Sequence, residues 1–64
     1  MNEIERLLDR KEVETVFGIS KRFLEMAVMR GDGPPFIRVG RRVLYRVADL
    51  KAWILEQRVD PSQV

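Results

Sequence analysis

The segment Phe17-Gly18-Ile19-Ser20-Lys21 limits most strongly what this chain folds into. Gly18 takes the left-handed conformation that closes a helix at no steric cost, and Ser20 is a side chain suited to opening one. A single residue, Ile19, separates the stop from the start. Both flanks carry helical periodicity. Upstream, Asp9 is an N-cap with Glu12 three residues on, the spacing of a capping box, and Leu8 and Val13 are spaced as a hydrophobic staple. Val13, Val16 and Phe17 then follow i, i+3, i+4 toward one core, which predicts a first helix over about 10–17. Downstream, Ile19 and Leu24 form a second staple. Leu24, Ala27 and Val28 make the buried stripe of a second helix over about 20–30, closed by Gly31. Two helices joined this tightly are forced into contact at a steep angle.

That arrangement is a helix-turn-helix, and the remainder of the chain adds a wing to it. Arg30-Gly31-Asp32-Gly33-Pro34-Pro35 is a run of structure breakers. Beyond it, residues 36–46 read as a β-hairpin in which Ile37 and Val39 share a face with Val43 and Tyr45, and the tip carries Gly40, Arg41 and Arg42. A third helix is expected over about 49–58, with Leu50, Trp53 and Ile54 on its buried side. Pro61 confirms that this helix has ended, and the last four residues should fray. The expected fold is mostly α with a small β-hairpin, a winged helix-turn-helix of order α-α-β-β-α. It forms a single domain over residues 1–64, without repeat or linker.

Composition removes several function classes. The chain has 64 residues and neither His nor Cys. It therefore lacks the usual general base, the commonest transition-metal ligand and the thiol nucleophile. So short a chain does not readily enclose a substrate-sized pocket, so no enzyme, cofactor or metal is expected. No apolar run reaches the roughly 20 residues of a membrane span. Met1-Asn2-Glu3-Ile4-Glu5 lacks the pattern of a secretion signal, which makes the cytoplasm the expected location.

Net charge is only +2, but its distribution is uneven. Residues 20–46 hold Lys21, Arg22, Arg30, Arg38, Arg41, Arg42 and Arg46 against Glu25 and Asp32, while the segments on either side are mildly acidic. A polyanion-binding face requires such a basic middle. Lys21 and Arg22 occupy the first turn of the second helix, where the helix dipole disfavours cations, and DNA phosphates at that N-terminus would supply the reason for them. Arg41 and Arg42 tip a ribbon that suits phosphates or a minor groove, with Arg38 and Arg46 on the flanking strands. Phe23, Met26 and Met29 lie off the buried stripe. Phe23 or Met26 either meets a thymine methyl or widens the core beside the hairpin. The candidate DNA-binding residues are thus Ser20, Lys21, Arg22, Phe23, Glu25 and Met26 on the recognition helix and Arg38, Arg41, Arg42 and Arg46 on the wing. Trp53 is read as core, and Leu55 as a lone exposed leucine.

Glu12-Val13, Phe17-Gly18-Ile19-Ser20-Lys21-Arg22 and Leu24, then Gly33 to Arg46, then Ala48-Asp49-Leu50-Lys51-Ala52-Trp53, resemble the excisionase and AlpA-like prophage regulators. These are a minimal branch of the MerR-type winged helix-turn-helix group. The resemblance implies that the second helix enters the major groove of double-stranded DNA and the wing lies beside it, with no cofactor. Lys21 and Arg22 match the start of the recognition helix, and Arg38, Arg41 and Arg42 match the wing. It also implies an architectural excisionase, a recombination directionality factor that binds repeated sites and bends DNA for an integrase; cooperative self-association on DNA is expected because one small module buries little area there. A prophage transcriptional regulator is the alternative, and a DNA-packaging recognition module a third. A protein-interaction module without DNA binding is the rival of another class, disfavoured by basic residues at both the helix start and the wing tip. The chain departs from the family pattern at three positions. Glu14 stands where a small residue is usual and must bend out to solvent. Ala27 stands where Trp is common, so Phe23, Met26 or Met29 is expected to fill the space. Ala48 stands where Ser often caps the third helix, leaving Asp49 as the substitute.

Overall fold

Asp9 behaves as its spacing predicts. Its Oδ1 accepts the Glu12 N–H at 2.8 Å and Glu12 Oε1 accepts the Asp9 N–H at 2.9 Å, closing a reciprocal capping box. The computed structural model describes residues 6–63; Val64 and the N-terminal stretch read above for a secretion signal lie outside the described residues. From the box runs α1 (Arg10–Phe17), which ends at Gly18, and then α2 (Lys21–Arg30), where the Ser20 hydroxyl accepts the Phe23 N–H at 3.0 Å. The hairpin is β2 (Ile37–Val39) and β3 (Arg42–Arg46), and α3 (Val47–Glu56) follows without a loop. The result is a winged helix-turn-helix, mostly helical, with a small antiparallel sheet.

One strand was not legible in the sequence. β1 (Leu7–Leu8) pairs antiparallel with β3, Leu7 opposite Arg46 and Leu8 opposite Tyr45, so the sheet has three strands in the order β1-β3-β2. The element order is therefore β-α-α-β-β-α. Two residues are too few to show alternation, and Leu8 serves equally well as the staple of α1. Both roles hold at once, because Leu8, Val13, Leu24, Tyr45 and Leu50 form the buried core, with Phe17, Ile19, Val43 and Val47 packed around it.

The hairpin register corrects the expected faces. Ile37 pairs with Leu44, Arg38 with Val43 and Val39 with Arg42. Cross-strand partners share a face, so Ile37 and Val39 lie with Leu44, while Val43 and Tyr45 lie with Arg38 on the other side. The loop has two residues, Gly40 and Arg41; Gly40 has φ +59° and no non-glycine residue has positive φ, as in a type II′ turn. The tight loop shifts the pairing by one residue from the expected alignment and so exchanges the faces.

Other expectations also needed revision. Val16 is exposed, because α1 meets α2 and the sheet on a stripe only wide enough for Val13 and Phe17. Ile54 is partly exposed for a similar reason: Leu50 alone is fully buried on α3. That helix starts at Val47, not near 49, and its N-cap position, Arg46, makes no side-chain capping bond. Asp49 sits inside the first turn, where a carboxylate complements the helix dipole, and pairs with Arg46 at 3.6 Å. The helix ends at Glu56, where Gln57 and Arg58 turn back onto Ile54 and Leu55 carbonyls. Pro61–Gln63 form a 3-10 turn instead of a frayed end. The Ser62 hydroxyl and N–H both donate to Asp60, which holds that carboxyl below its ordinary value.

Glu14 does point to solvent. The space beside Ala27, however, is not filled by Phe23, Met26 or Met29, which are all exposed. It is filled by the breaker loop. Gly31 and Asp32 donate to the Ala27 carbonyl at 3.0 Å each, and the chain then folds so closely over the helix that a Cβ on Gly33 would lie 2.6 Å from the Ala27 Cβ. Pro34 is buried beside them. A large side chain at 27 has nowhere to go.

Gly33→Ala should therefore destabilise the fold by about 2 kcal/mol or more, through overpacking and through a φ of +92° that alanine resists. Asp9→Ala should cost about 1 kcal/mol through the lost cap. Urea midpoints at constant m-value measure both.

Candidate nucleic-acid interface

Burial of Leu24 and Ala27 decides which side of α2 is free. Arg22, Glu25, Met26 and Met29 stand at i, i+3, i+4 and i+7, share the opposite face, and are all exposed. Met29, 81% exposed, completes a stripe whose other three members were recognised from sequence. Lys21 and Phe23 flank it on either side. Ser20 is the cap, so its oxygen already serves the helix while its O–H can still donate outward. No acidic residue lies in the first turn of α2, leaving its N-terminal positive charge uncompensated.

Phe23 takes neither expected role cleanly. Its ring lies 6.1 Å from that of Trp53 in a tilted contact, so it packs on α3 and not beside the hairpin. The Arg30 guanidinium covers the same ring at 5.6 Å and bonds to Asp32. Phe23 is still 39% exposed, but this flank braces α2 on α3. Trp53, read as core, is half-buried under it.

On the wing, Arg41 lies in the turn and Arg42 opens β3 beside it. Arg42 and Arg46 share one face of the strand, about 13 Å apart along it. Arg38 belongs to the other face and lays its guanidinium 5.8 Å from the Phe36 ring. Arg46 sits at the root of the wing, held by Asp49. The wing arginines are thus divided between two faces, with Arg41 and Arg42 together at the tip.

A cleft of about 310 Å³, lined by Asp9, Arg10, Lys11, Lys21, Arg42 and Val43, joins the two groups. It brings Lys21 of α2 and Arg42 of the wing together with Arg10 and Lys11, which sequence reasoning missed. The cause is β1. Continued beyond Leu8–Tyr45, its register carries the start of α1 alongside Val43 and Arg42. In the sequence the same two cations vanish into a mildly acidic N-terminal segment.

Three carboxylates are paired away from the cleft. Glu12 pairs with Arg6, Asp32 with Arg30 and Asp49 with Arg46. Among the described residues no carboxylate pairs with Arg10, Lys11, Lys21, Arg22, Arg38, Arg41 or Arg42. Nor is there a group of three or more acidic side chains that could hold a metal among the described residues, or a helix long and apolar enough to cross a membrane. The surface is cationic, shaped by a helix and a ribbon, and suited to a polyanion.

The family model described as a helix-turn-helix domain matches residues 7–58. Neither the curated proteins nor the solved structures compared with the chain include a match.

Trp53 is the only tryptophan, so its fluorescence reports on the α2–α3 contact. Phe23→Ala should shift its emission to longer wavelength and lower stability by about 1–2 kcal/mol. Met26→Ala, on the free face, should leave both unchanged within about 0.5 kcal/mol.

Proposed function

We propose, from the premise that the chain belongs to the helix-turn-helix domain family, that it is a sequence-specific DNA-binding protein that bends duplex DNA to assist an integrase in excision. The observation that carries the DNA-binding part is the set of cations without carboxylate partners on α2 and the wing tip. A cation left unpaired beside others of its sign is self-repelling, and a phosphate backbone relieves that repulsion. On this reading α2 lies in the major groove, with Arg22, Glu25, Met26 and Met29 toward base edges. Ser20 and Lys21 reach phosphates at the helix start, and Phe23 keeps the helix at its angle. Arg41 and Arg42 follow the backbone or the adjacent minor groove, with Arg38 and Arg46 behind them.

The finer role rests on the resemblance of Gly33–Arg46 and Ala48–Trp53 to the excisionases. One module of this size covers only about 600–1,000 Å² of protein surface on DNA, which limits the affinity of a single site. Several adjacent copies, associating on DNA and bending it, supply the rest. The protein works by binding and shaping, changes no covalent bond and uses no cofactor.

Two measurements test this. About four phosphate contacts, from Lys21, Arg38, Arg41 and Arg42, should give a log–log salt slope of about −3 to −4; a slope near zero removes the basic surface from the interface. Added to the integrase of the same element, the protein should raise excision, and binding on a multi-site fragment should be steeper than on one site. A free dimer that occupies one palindrome without bending it, and leaves excision unchanged, assigns the protein to transcriptional regulation instead.

A further inference from the structure

We propose that the cleft between the starts of α1 and α2 and strand β3 seats a single phosphate group, a backbone phosphodiester when duplex is bound, with Arg10 as its principal ligand. This rests on the DNA-binding reading and adds to it two residues, Arg10 and Lys11, that belong neither to the recognition helix nor to the wing.

Four cations, Arg10, Lys11, Lys21 and Arg42, line the cleft against one carboxylate, that of Asp9. The Asp9 Oδ1 already accepts the Glu12 N–H, so it serves α1 as a cap. Arg10 and Lys21 are the first residues of their helices, and the start of α2, with no acidic residue in its first turn, brings an uncompensated positive helix end to the cleft. The independent observation is the Arg10 Nε. It is buried from solvent and is the one buried side-chain polar atom without a hydrogen-bond partner among the described residues. A guanidinium N–H held away from water is unfavourable unless an acceptor reaches it, and no protein acceptor does. A small turn of the guanidinium into the cleft it lines would open that N–H, and a phosphate seated there would supply the acceptor. Its oxygens accept from guanidinium in a paired geometry, and its charge answers the surplus of cations around the cleft. Because β1 ties the start of α1 to β3, a phosphate seated there would fix the spacing between the recognition helix and the wing on the duplex.

The Arg10 Nε–H resonance in a proton–nitrogen NMR spectrum follows the site directly. One titration uses a short non-specific duplex and a second uses inorganic phosphate at matched ionic strength. Arg10→Met keeps the aliphatic stem and removes the guanidinium, while Arg10→Lys keeps the charge and removes the Nε–H. The duplex should shift the resonance, and Arg10→Met should weaken duplex binding about tenfold and flatten the salt slope by about 0.9. Arg10→Lys should recover only part of that loss. Combined with Arg42→Gln, Arg10→Met should lose less than the product of the two single losses, because both cations share one phosphate. If inorganic phosphate shifts the resonance and the duplex does not, the cleft is a phosphate site whose source is the free ion. If the wild type binds duplex while the resonance stays still and Arg10→Met binds as tightly, the proposal fails and the DNA-binding reading stands. A wild type that binds no duplex overturns that reading, and the phosphate arm alone then decides the cleft.

Discussion

The pairing of Leu8 with Tyr45 governs the rest of this structure. β3 carries the wing on one edge and β1 on the other, and its Tyr45 side chain reaches the centre of the helical core. Without β1 the hairpin would be joined to α2 by a loop and to α3 by a continuous backbone, and only side-chain packing of Val43 and Tyr45 would set its tilt. A two-stranded hairpin is marginal alone, and a third strand with an apolar face changes that. Leu8 is a strand partner, the staple of α1 and a core residue at once, so wing and helices are positioned by the same side chain. A domain this small has little stability to spare, and such double use is how it holds two separate cationic elements, α2 and the wing, in one geometry.

The charges follow from the same economy. Four acidic residues sit where they secure local structure: Asp9 and Glu12 in the capping box, Asp32 on Arg30 at the end of α2, Asp49 on Arg46 at the start of α3. Each of these exposed pairs adds at most about 1 kcal/mol. Their larger consequence is to leave Lys21, Arg22, Arg41 and Arg42 unneutralised. α2 accepts two cations at its positive end, against its own dipole, and compensates with the Ser20 cap, with Leu24 in the core and with Gly31 and Asp32 closing its far end on Ala27.

Local rules made much of this legible. Both cap residues, both glycine stops and the bounds of α1 follow from side-chain chemistry within one turn, and the structure has them as read. Where partners are distant in sequence, the reading failed for identifiable reasons. β1 is two residues long, and its partner lies nearly forty residues away, beyond any periodicity. The hairpin faces depended on the loop length, and one residue of register exchanges them. Ala27 looked like a vacancy to be filled by nearby side chains, because nothing local says that the Gly33 backbone returns to cover it. The candidate site divides in the same way. The α2 stripe was visible as spacing, whereas Arg10 and Lys11 join it only through the sheet.

Phe23 shows why exposure alone misassigns such a surface. Both it and Met26 are apolar, solvent-facing and on α2 beyond its basic start, so periodicity treats them alike. Their neighbours separate them. Phe23 leans on Trp53 and beneath Arg30, which places it on the flank that joins α2 to α3, whereas Met26 stands with Arg22 and Met29 on the side no element covers. On the opposite flank Lys21 faces the start of α1 and the wing. α2 is thus steadied on one side by an aromatic contact and bordered on the other by unpaired cations, with the free stripe between them. A helix supported on a single side would pivot about its core contact, and the side chains of that stripe would not arrive together at one groove. The aromatic flank fixes the angle of α2 on one side, and the cationic cleft that Lys21 shares with the start of α1 and the wing borders the other.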